Sequence, residues 1–404
     1  MRTRFVVGCM SGTSIDAVDA ACMRIDGDGL DMRAACLAFS SRPLGEIAEP
    51  LRALAEQRPM TAGQLASLLH GFSRRHVEAV HAVLTAAGRP RADLIAVHGQ
   101  TVFHRPPLSM QLVVPTLIAH EFACEVAFDL RAADLAAGGQ GAPITPLADY
   151  VLYRSAAEGR VMLNLGGFCN YTWLPACGTS VGKDERRAGA GPVDAFRATR
   201  AEALDRVRAG DICICNQLLD ALARRLLRAP YDEAGRTAAR GQSVAGLERE
   251  LTERLIAQAR AERSLGTGDE LSNWIDRACA GAFRPADVLR SACCAISAAV
   301  ADRLIADARA FPETPRAGDA LRRVLVAGGG VRNRTLLGEL RARLPWPVEA
   351  ADAYGPDATA REAAAMAVLA ALAQDDVPIT LSQVTRRGES RLAAGAWIRP
   401  RRSG

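Results

Sequence analysis

The run Cys9-Met10-Ser11-Gly12-Thr13-Ser14, with Asp16 two residues on, gathers three hydroxyls, a glycine and a carboxylate into one turn. It follows the apolar Phe5-Val6-Val7, which starts a buried strand, and precedes a returning strand from Asp16 to Ile25. Backbone N–H groups and hydroxyls beside a carboxylate form a phosphate and metal cradle. The competing reading is a plain hairpin in which Gly12 only supplies a positive φ.

Other polar corners follow the same logic. His98-Gly99-Gln100-Thr101 ends the apolar run Leu94-Ile95-Ala96-Val97, and open α/β sheets place ligands at the carboxyl ends of buried strands. The alternative is that His98 and Gln100 only bond to neighbouring loops; His104, ahead of Pro106-Pro107, is the lesser candidate. Arg131, in Asp129-Leu130-Arg131, can grip a carboxylate or phosphate bidentately, or pair structurally with Asp129 or Asp134. Gly138, Gly139 and Gly141 are costly in chain entropy unless the backbone turns tightly or nears a ligand.

At Arg160 the opening pattern recurs: strand Val161-Met162-Leu163, turn Asn164-Leu165-Gly166-Gly167, and a returning strand Phe168 to Trp173. Asp211 is placed at an element boundary, facing a cleft or serving as an N-cap or turn residue, ahead of a helix through Leu227. Strand Arg323 to Ala327 runs into Gly328-Gly329-Gly330 and Asn333, a strand-to-helix turn suited to close approach of a nucleotide. It is neither a dinucleotide fingerprint nor a P-loop.

These corners need a scaffold. Apolar residues at helical spacing predict helices within 43–90, with Gly88-Arg89-Pro90 as the stop, and further helices over 286–308 and 362–372. The repeated strand–glycine turn–strand unit predicts two related α/β domains, each offering a loop to a shared cleft. We place the first at 1–145 and the second at 146–404, with the last helix able to pack back on the first. The glycine-rich stretch 176–208 reads as an insertion or mobile loop.

A chain of 404 residues, 49% hydrophobic, is long enough for two cores. Its formal charge of +5 is modest, and the basic residues are arginines scattered on helices, Lys183 being the one lysine, which disfavours nucleic-acid binding. Eleven cysteines without a C-x-x-C pair read as buried thiols in a reducing cytoplasm. No run approaches a membrane span, and Met1 leads straight into a strand without a signal peptide.

In this order the motifs resemble the anhydro-N-acetylmuramic acid kinase family: Met10 to Asp16, His98 to His104, Asp129-Leu-Arg131 with Asp134 to Pro143, Asn164 to Gly167 with Asn170, Gly328 to Gly330 with Asn333, and Glu362-Ala363. The resemblance implies the two-domain fold of sugar kinases, actin and Hsp70-type chaperones (ribonuclease H-like), with the active site in the interdomain cleft. It also implies ATP-dependent phosphorylation of 1,6-anhydro-N-acetylmuramic acid with hydrolytic opening of the anhydro bridge, and a homodimer.

By that resemblance Ser11, Gly12, Thr13 and Ser14 hold the transferring phosphates with Asp16 near Mg2+. Asn164, Gly166 and Gly167 form a second phosphate loop, and Gly328, Gly329, Gly330 and Asn333 take the nucleoside end. Asp211 is the base for the attacking water, with Arg131 and Glu362 beside it as catalytic groups. His98, Gln100 and Asn216 stand on the substrate side, His98, Gln100, Arg131 and Glu362 meeting the sugar and its lactyl carboxylate.

The chain departs from the family in one place above all. Only Asp211 and Asn216 remain from F-D-T-G-P-G-N, and cysteines at 213 and 215 in place of glycines are expected to push a Cβ and a sulfur into the pocket. Another phosphate acceptor, or nucleotide binding without chemistry, stays open on that account.

Overall fold

The computed structural model describes residues 2–12, 14–177, 202–261, 263–266, 268–310, 321–388 and 394–401. By its internal contacts the chain divides into one unit of Met1–Leu152 with Asp352–Gly404 and another of Tyr153–Ala351. Everything from Asp352 onward thus belongs with the first unit, not only the last helix, and the first break falls at 152/153 rather than 145/146.

The first unit is built on strands β1 (Thr3–Met10), β2 (Ala17–Asp26), β3 (Arg33–Pro43) and β4 (Leu94–Val97), a small hairpin β5 (Gln100–Arg105) and β6 (Leu108–Leu112), and β7 (Val126–Phe128). β2 runs antiparallel to both β1 and β3, while β4 lies parallel to β1 and to β7. All four residues of β4 are buried, as a strand covered on both faces requires.

One face is covered by the helix Ala62–Ala86, started by a Thr61–Gln64 capping box and followed by left-handed Gly88. The other is covered by the helix Arg361–Gln374, whose residues 363–373 are all buried. Its alanines let it lie almost on the strand: a Cβ added at Gly8 would come within 2.0 Å of Ala363 O and 2.5 Å of Ala367 N. That contact, glycine against alanine, is why the segment after Asp352 joins the first unit.

The second unit repeats the plan with β8 (Gly159–Leu165), β9 (Phe168–Leu174), β10 (Arg208–Ile214), β11 (Leu321–Ala327) and β12 (Val348–Ala350). β9 is antiparallel to β8 and β10, and β11 is parallel to β8 and β12. A short β13 (Ala396–Ile398) extends the first sheet beside β7. With the β5–β6 hairpin and β13 left out and the remaining strands of each unit counted in chain order, both sheets share the order 3-2-1-4-5 and the same polarity. The helices Ala245–Arg260 and Pro285–Ala310 pack together in the second core.

All eleven cysteines are free thiols, eight of them buried. Burial pushes the Cys9 thiol up to about 12, so it stays protonated and packs as a small hydrophobe. Among the described residues no helix is long and apolar enough to cross a membrane. Most of the stretch expected as an insertion, 178–201 with Lys183, lies outside the described residues.

Candidate active site

β1 ends in the Ser11–Asp16 loop, and Thr13 lies outside the described residues. Ile15 sits in the left-handed region at φ +50, unusual for a β-branched residue. Its buried side chain and the Arg52 Nη2 bond to its carbonyl (2.8 Å) hold it there, and strain of this kind concentrates at ligand sites. Gly12, by contrast, is not left-handed, so it does not supply the positive φ of a turn, although the loop does join β1 and β2 as an antiparallel hairpin. A Cβ added there would meet no non-neighbouring atom nearer than Ser14 Oγ at 3.7 Å, so the fold does not demand that glycine. Ser14 Oγ donates to Asp16 Oδ1 at 2.7 Å, holding an exposed carboxylate at the loop's end.

The β4 corner draws four candidates into two bonded pairs, Ser11 with Gln100 and His98 with Arg131. Ser11 Oγ lies 2.8 Å from Gln100 Oε1 and 3.0 Å from Ala17 O, so its single proton serves one of them at a time. His98 is buried, with Nδ1 2.9 Å from Gly99 O, while Arg131 Nε donates to His98 Nε2 at 3.0 Å. The Nδ1–H therefore points to the carbonyl and the Nε2 lone pair to the guanidinium. Burial, with Arg131 alongside, lowers the His98 pKa to about 3 and keeps the ring neutral.

Arg131 also donates to Gly141 O. The glycine loop is shaped around Asp134 instead: Gly141 N and Thr385 Oγ1 donate to its carboxylate at 2.7 and 2.6 Å, and a Cβ at Gly139 would come within 2.2 Å of Oδ2. These glycines serve a buried carboxylate.

Glu362 lies half-buried in the first turn of its helix. Its neighbour Arg361 makes a buried bidentate pair with Asp149, Nε to Oδ1 at 2.9 Å and Nη2 to Oδ2 at 2.5 Å, with side chains 1% and 0% exposed. The sequence reading missed this pair, because nothing in the spacing of two residues so far apart joins them.

In the second unit three corners are stitched into one. Cys215 N and Asn216 N donate to the carbonyls of Gly167 (2.8 Å) and Gly166 (3.0 Å), and Asn216 Nδ2 to Leu165 O (2.7 Å). Gly328, left-handed at φ +84, lies so close that a Cβ would come within 2.6 Å of Asn164 Oδ1 and 2.9 Å of Leu165 O. A Cβ at Gly330 would approach Leu165 Cβ to 2.6 Å, while at Gly329 it would meet Asn216 Nδ2 only at 3.6 Å. Asn333 Oδ1 caps the helix Arg334–Arg343 by accepting from Leu336 N at 3.0 Å.

Asp211 is not at an element boundary but inside β10, opposite Asn170, which in turn stands opposite Asn164. Directly opposed residues of antiparallel strands share a face, so the three form one polar row ending beside Gly328. A bulge between Asp211 and Cys213 breaks the alternation there, the kind of irregularity that re-aims a side chain next to an active site. Leu265 N donates to Asp211 Oδ2 at 2.7 Å from a loop braced by Arg263 and Gly266 on Asp269.

Cys213 and Cys215 do not intrude as expected. Both are wholly buried in the core with Cys169, and burial raises the Cys213 thiol far above its usual pKa. The bulge sends these side chains inward while Asp211 keeps its row.

Two sheets of this shared order, each with glycine corners at its strand ends, make a duplicated α/β architecture. A family model described as anhydro-N-acetylmuramic acid kinase matches residues 4–196 and 198–398. The anhydro-N-acetylmuramic acid kinase of Salinibacter ruber is 34% identical over 400 residues, covering 95% of this chain and 93% of the relative. That of Bordetella parapertussis is 34% identical over 408 residues, covering 98% and 96%. Component A of (R)-2-hydroxyglutaryl-CoA dehydratase from Acidaminococcus fermentans overlaps in structure at a TM-score of 0.41 and 14% identity, over 92% of this chain and 99% of that one. The chain belongs to the anhydro-N-acetylmuramic acid kinase family.

Proposed function

We propose that this kinase transfers the γ-phosphoryl group of ATP to O6 of 1,6-anhydro-N-acetylmuramic acid while water opens the anhydro bridge at C1, giving N-acetylmuramic acid 6-phosphate. The water oxygen bonds to C1 and yields a proton to Asp211. The C1–O6 bond breaks as O6 bonds to phosphorus, and ADP leaves. The observation that supports this most is the row Asp211–Asn170–Asn164, which lines a carboxylate up with the stitched glycine corners, about 10 Å across two strand spacings.

The residues suit the groups they would hold. Ser11, Gly12 and Ser14, with Thr13, take the transferring phosphates, Gly12 leaving room that the fold does not use. Asp16 offers one exposed carboxylate, as Mg2+ requires when waters and phosphates complete its shell. Bound there, Mg2+ supplies charge neutralisation of the phosphates. Asn164, Gly166 and Gly167 form the second phosphate loop, Gly328 to Gly330 approach the nucleoside end, and Asn333 fixes the helix that follows. Phosphoryl transfer asks the protein mainly for such positioning. Arg131 and Glu362 meet the sugar, and Asn216 holds the corner together.

Family membership also supports a cytoplasmic homodimer, which sedimentation of the purified protein tests. An acceptor screen tests the substrate: the anhydro sugar should be phosphorylated with Mg2+ and ATP far faster than N-acetylmuramic acid or N-acetylglucosamine. Preference for a ring-opened sugar would reject the reading.

A further inference from the structure

The turn that meets Asp211 is itself fixed from behind, by residues to which the reaction above gives no part. Asp269, 8% exposed, accepts from Gly266 N at 2.9 Å, and its own N–H donates to Gly266 O at 3.0 Å, so the turn closes on itself. Arg263 grips the same carboxylate with both terminal nitrogens, Nη1 to Oδ2 at 2.9 Å and Nη2 to Oδ1 at 2.5 Å, and Nη1 also donates to Ser264 O at 2.9 Å. Leu265, whose N–H reaches Asp211 Oδ2, lies on the stretch these bonds close.

The same turn is tied to the strand that carries Asp211. Among the described strands β10 is outermost in its sheet, so N–H groups on its far side need partners other than a strand. Ile214 N has one in the buried amide of Gln258, donating to Oε1 at 3.1 Å, and Gln258 Nε2 donates to Asp269 O at 2.8 Å. The bonds form a ring, from Asp211 through Leu265 and Asp269 to Gln258, and back to Asp211 along β10 from Ile214. Strand and turn cannot shift apart without leaving a buried polar group unsatisfied, which is costly.

The terminal torsion of an aspartate is broad, so a carboxylate on a strand swings unless something besides its own backbone holds it. A base must meet its water in line and within hydrogen-bond reach, and misplacement by about an ångström is worth about 10²-fold in rate. A backbone N–H donor also favours the ionised carboxylate, the form able to take a proton. We propose that Asp269 is a positioning residue for the proposed base: with Arg263 and Gln258 it holds the Leu265 N–H against Asp211 Oδ2, so that the carboxylate is aimed before the water arrives. The inference rests on Asp211 acting as that base and adds what orients it.

The test is steady-state kinetics with Mg2+, ATP and the anhydro sugar. Asp269→Ala should lower kcat about tenfold or more with both KM values within about twofold of wild type. Asp269→Asn, whose amide oxygen still accepts from Gly266 N, should recover part of the loss. Arg263→Ala alters a side chain half exposed to solvent, so it loosens the turn without touching the buried carboxylate. It too should lower kcat, and the double variant should lose no more than Asp269→Ala alone; thermal melts show that the variants fold. In an Asp211→Asn background Asp269→Ala should change the residual rate less than about twofold, because the turn acts only through that carboxylate, whereas a turn that merely stabilises the domain would lower the residual rate further. Wild-type kcat in both Asp269→Ala and Arg263→Ala, or a full further loss on top of Asp211→Asn, would overturn the proposal. A slow Asp211→Asn beside an unimpaired Asp269→Ala and Arg263→Ala rejects this inference and leaves the proposed reaction standing; wild-type turnover in Asp211→Asn rejects the base and the inference with it.

Discussion

Asp211 stands directly opposite Asn170 across the β9–β10 ladder, at the residue where the ladder is about to bulge. The pairing fixes the carboxylate's face, and the bulge lets Cys213 and Cys215 turn into the core immediately after it. Proposed base and phosphate corner are thereby carried on three adjacent strands of one rigid sheet.

Asp211→Asn should preserve ATP affinity and stability while lowering kcat by roughly 10²–10⁴, the usual worth of an aligned general base. Turnover near wild type would remove Asp211 from that role, and a matching loss of ATP affinity would show that it shapes the nucleotide site instead.

His98→Ala removes the acceptor that holds Arg131 Nε. With Gly141 O left as a hold on the guanidinium and the Nε hold lost, a shift of about an ångström should lower kcat/KM for the sugar by about 10²-fold while the ATP KM holds. Steady-state kinetics in both substrates check this; an unchanged sugar KM and kcat would mean Arg131 is oriented by other contacts.

Two glycines should part company. Gly8→Ala sets a Cβ against backbone atoms of the helix Arg361–Gln374, and an overpacked contact of this kind costs about 3 kcal/mol in denaturant unfolding. Gly12→Ala meets only an ordinary contact, so stability should stay within about 0.5 kcal/mol while phosphoryl transfer falls. A Gly12 variant with full activity would make the loop a bystander.

Acid should destabilise the fold through its buried histidines. Burial lowers His76 and His104 to about 4 and His98 to about 3. Below about pH 6.5 the unfolded chain takes up protons these rings refuse, so their contribution is full above that pH and is lost as pH falls toward 3–4. Each ring adds a slope of up to about 1.4 kcal/mol per pH unit within that window. Unfolding midpoints at pH 7 and 5 should differ, and His76→Phe, which keeps a ring against Phe72, should flatten the difference. A pH-independent midpoint would contradict it.

The glycine and hydroxyl corners were legible because each is a local run with its own backbone chemistry, and the doubled sheet showed in the recurrence of strand, glycine turn and strand. What escaped depends on distant docking. The Arg361–Asp149 pair exists only because an alanine-rich helix returns to the first sheet over Gly8. Asp211 was placed at a boundary because a bulge has no sequence period of its own, and the same bulge turned inward the cysteines expected to crowd the site. Of the two readings for Gly139 and Gly141, tight turn or ligand approach, the turn is the one seen: Gly141 is left-handed, and both glycines wrap Asp134.

The central claim is that one reaction both phosphorylates O6 and opens the ring. Mass spectrometry and phosphorus NMR of the enzyme with Mg2+, ATP and 1,6-anhydro-N-acetylmuramic acid test it most directly. One N-acetylmuramic acid 6-phosphate should form per ADP; a phosphosugar that keeps its anhydro bridge, or ADP released with the sugar unchanged, would contradict it.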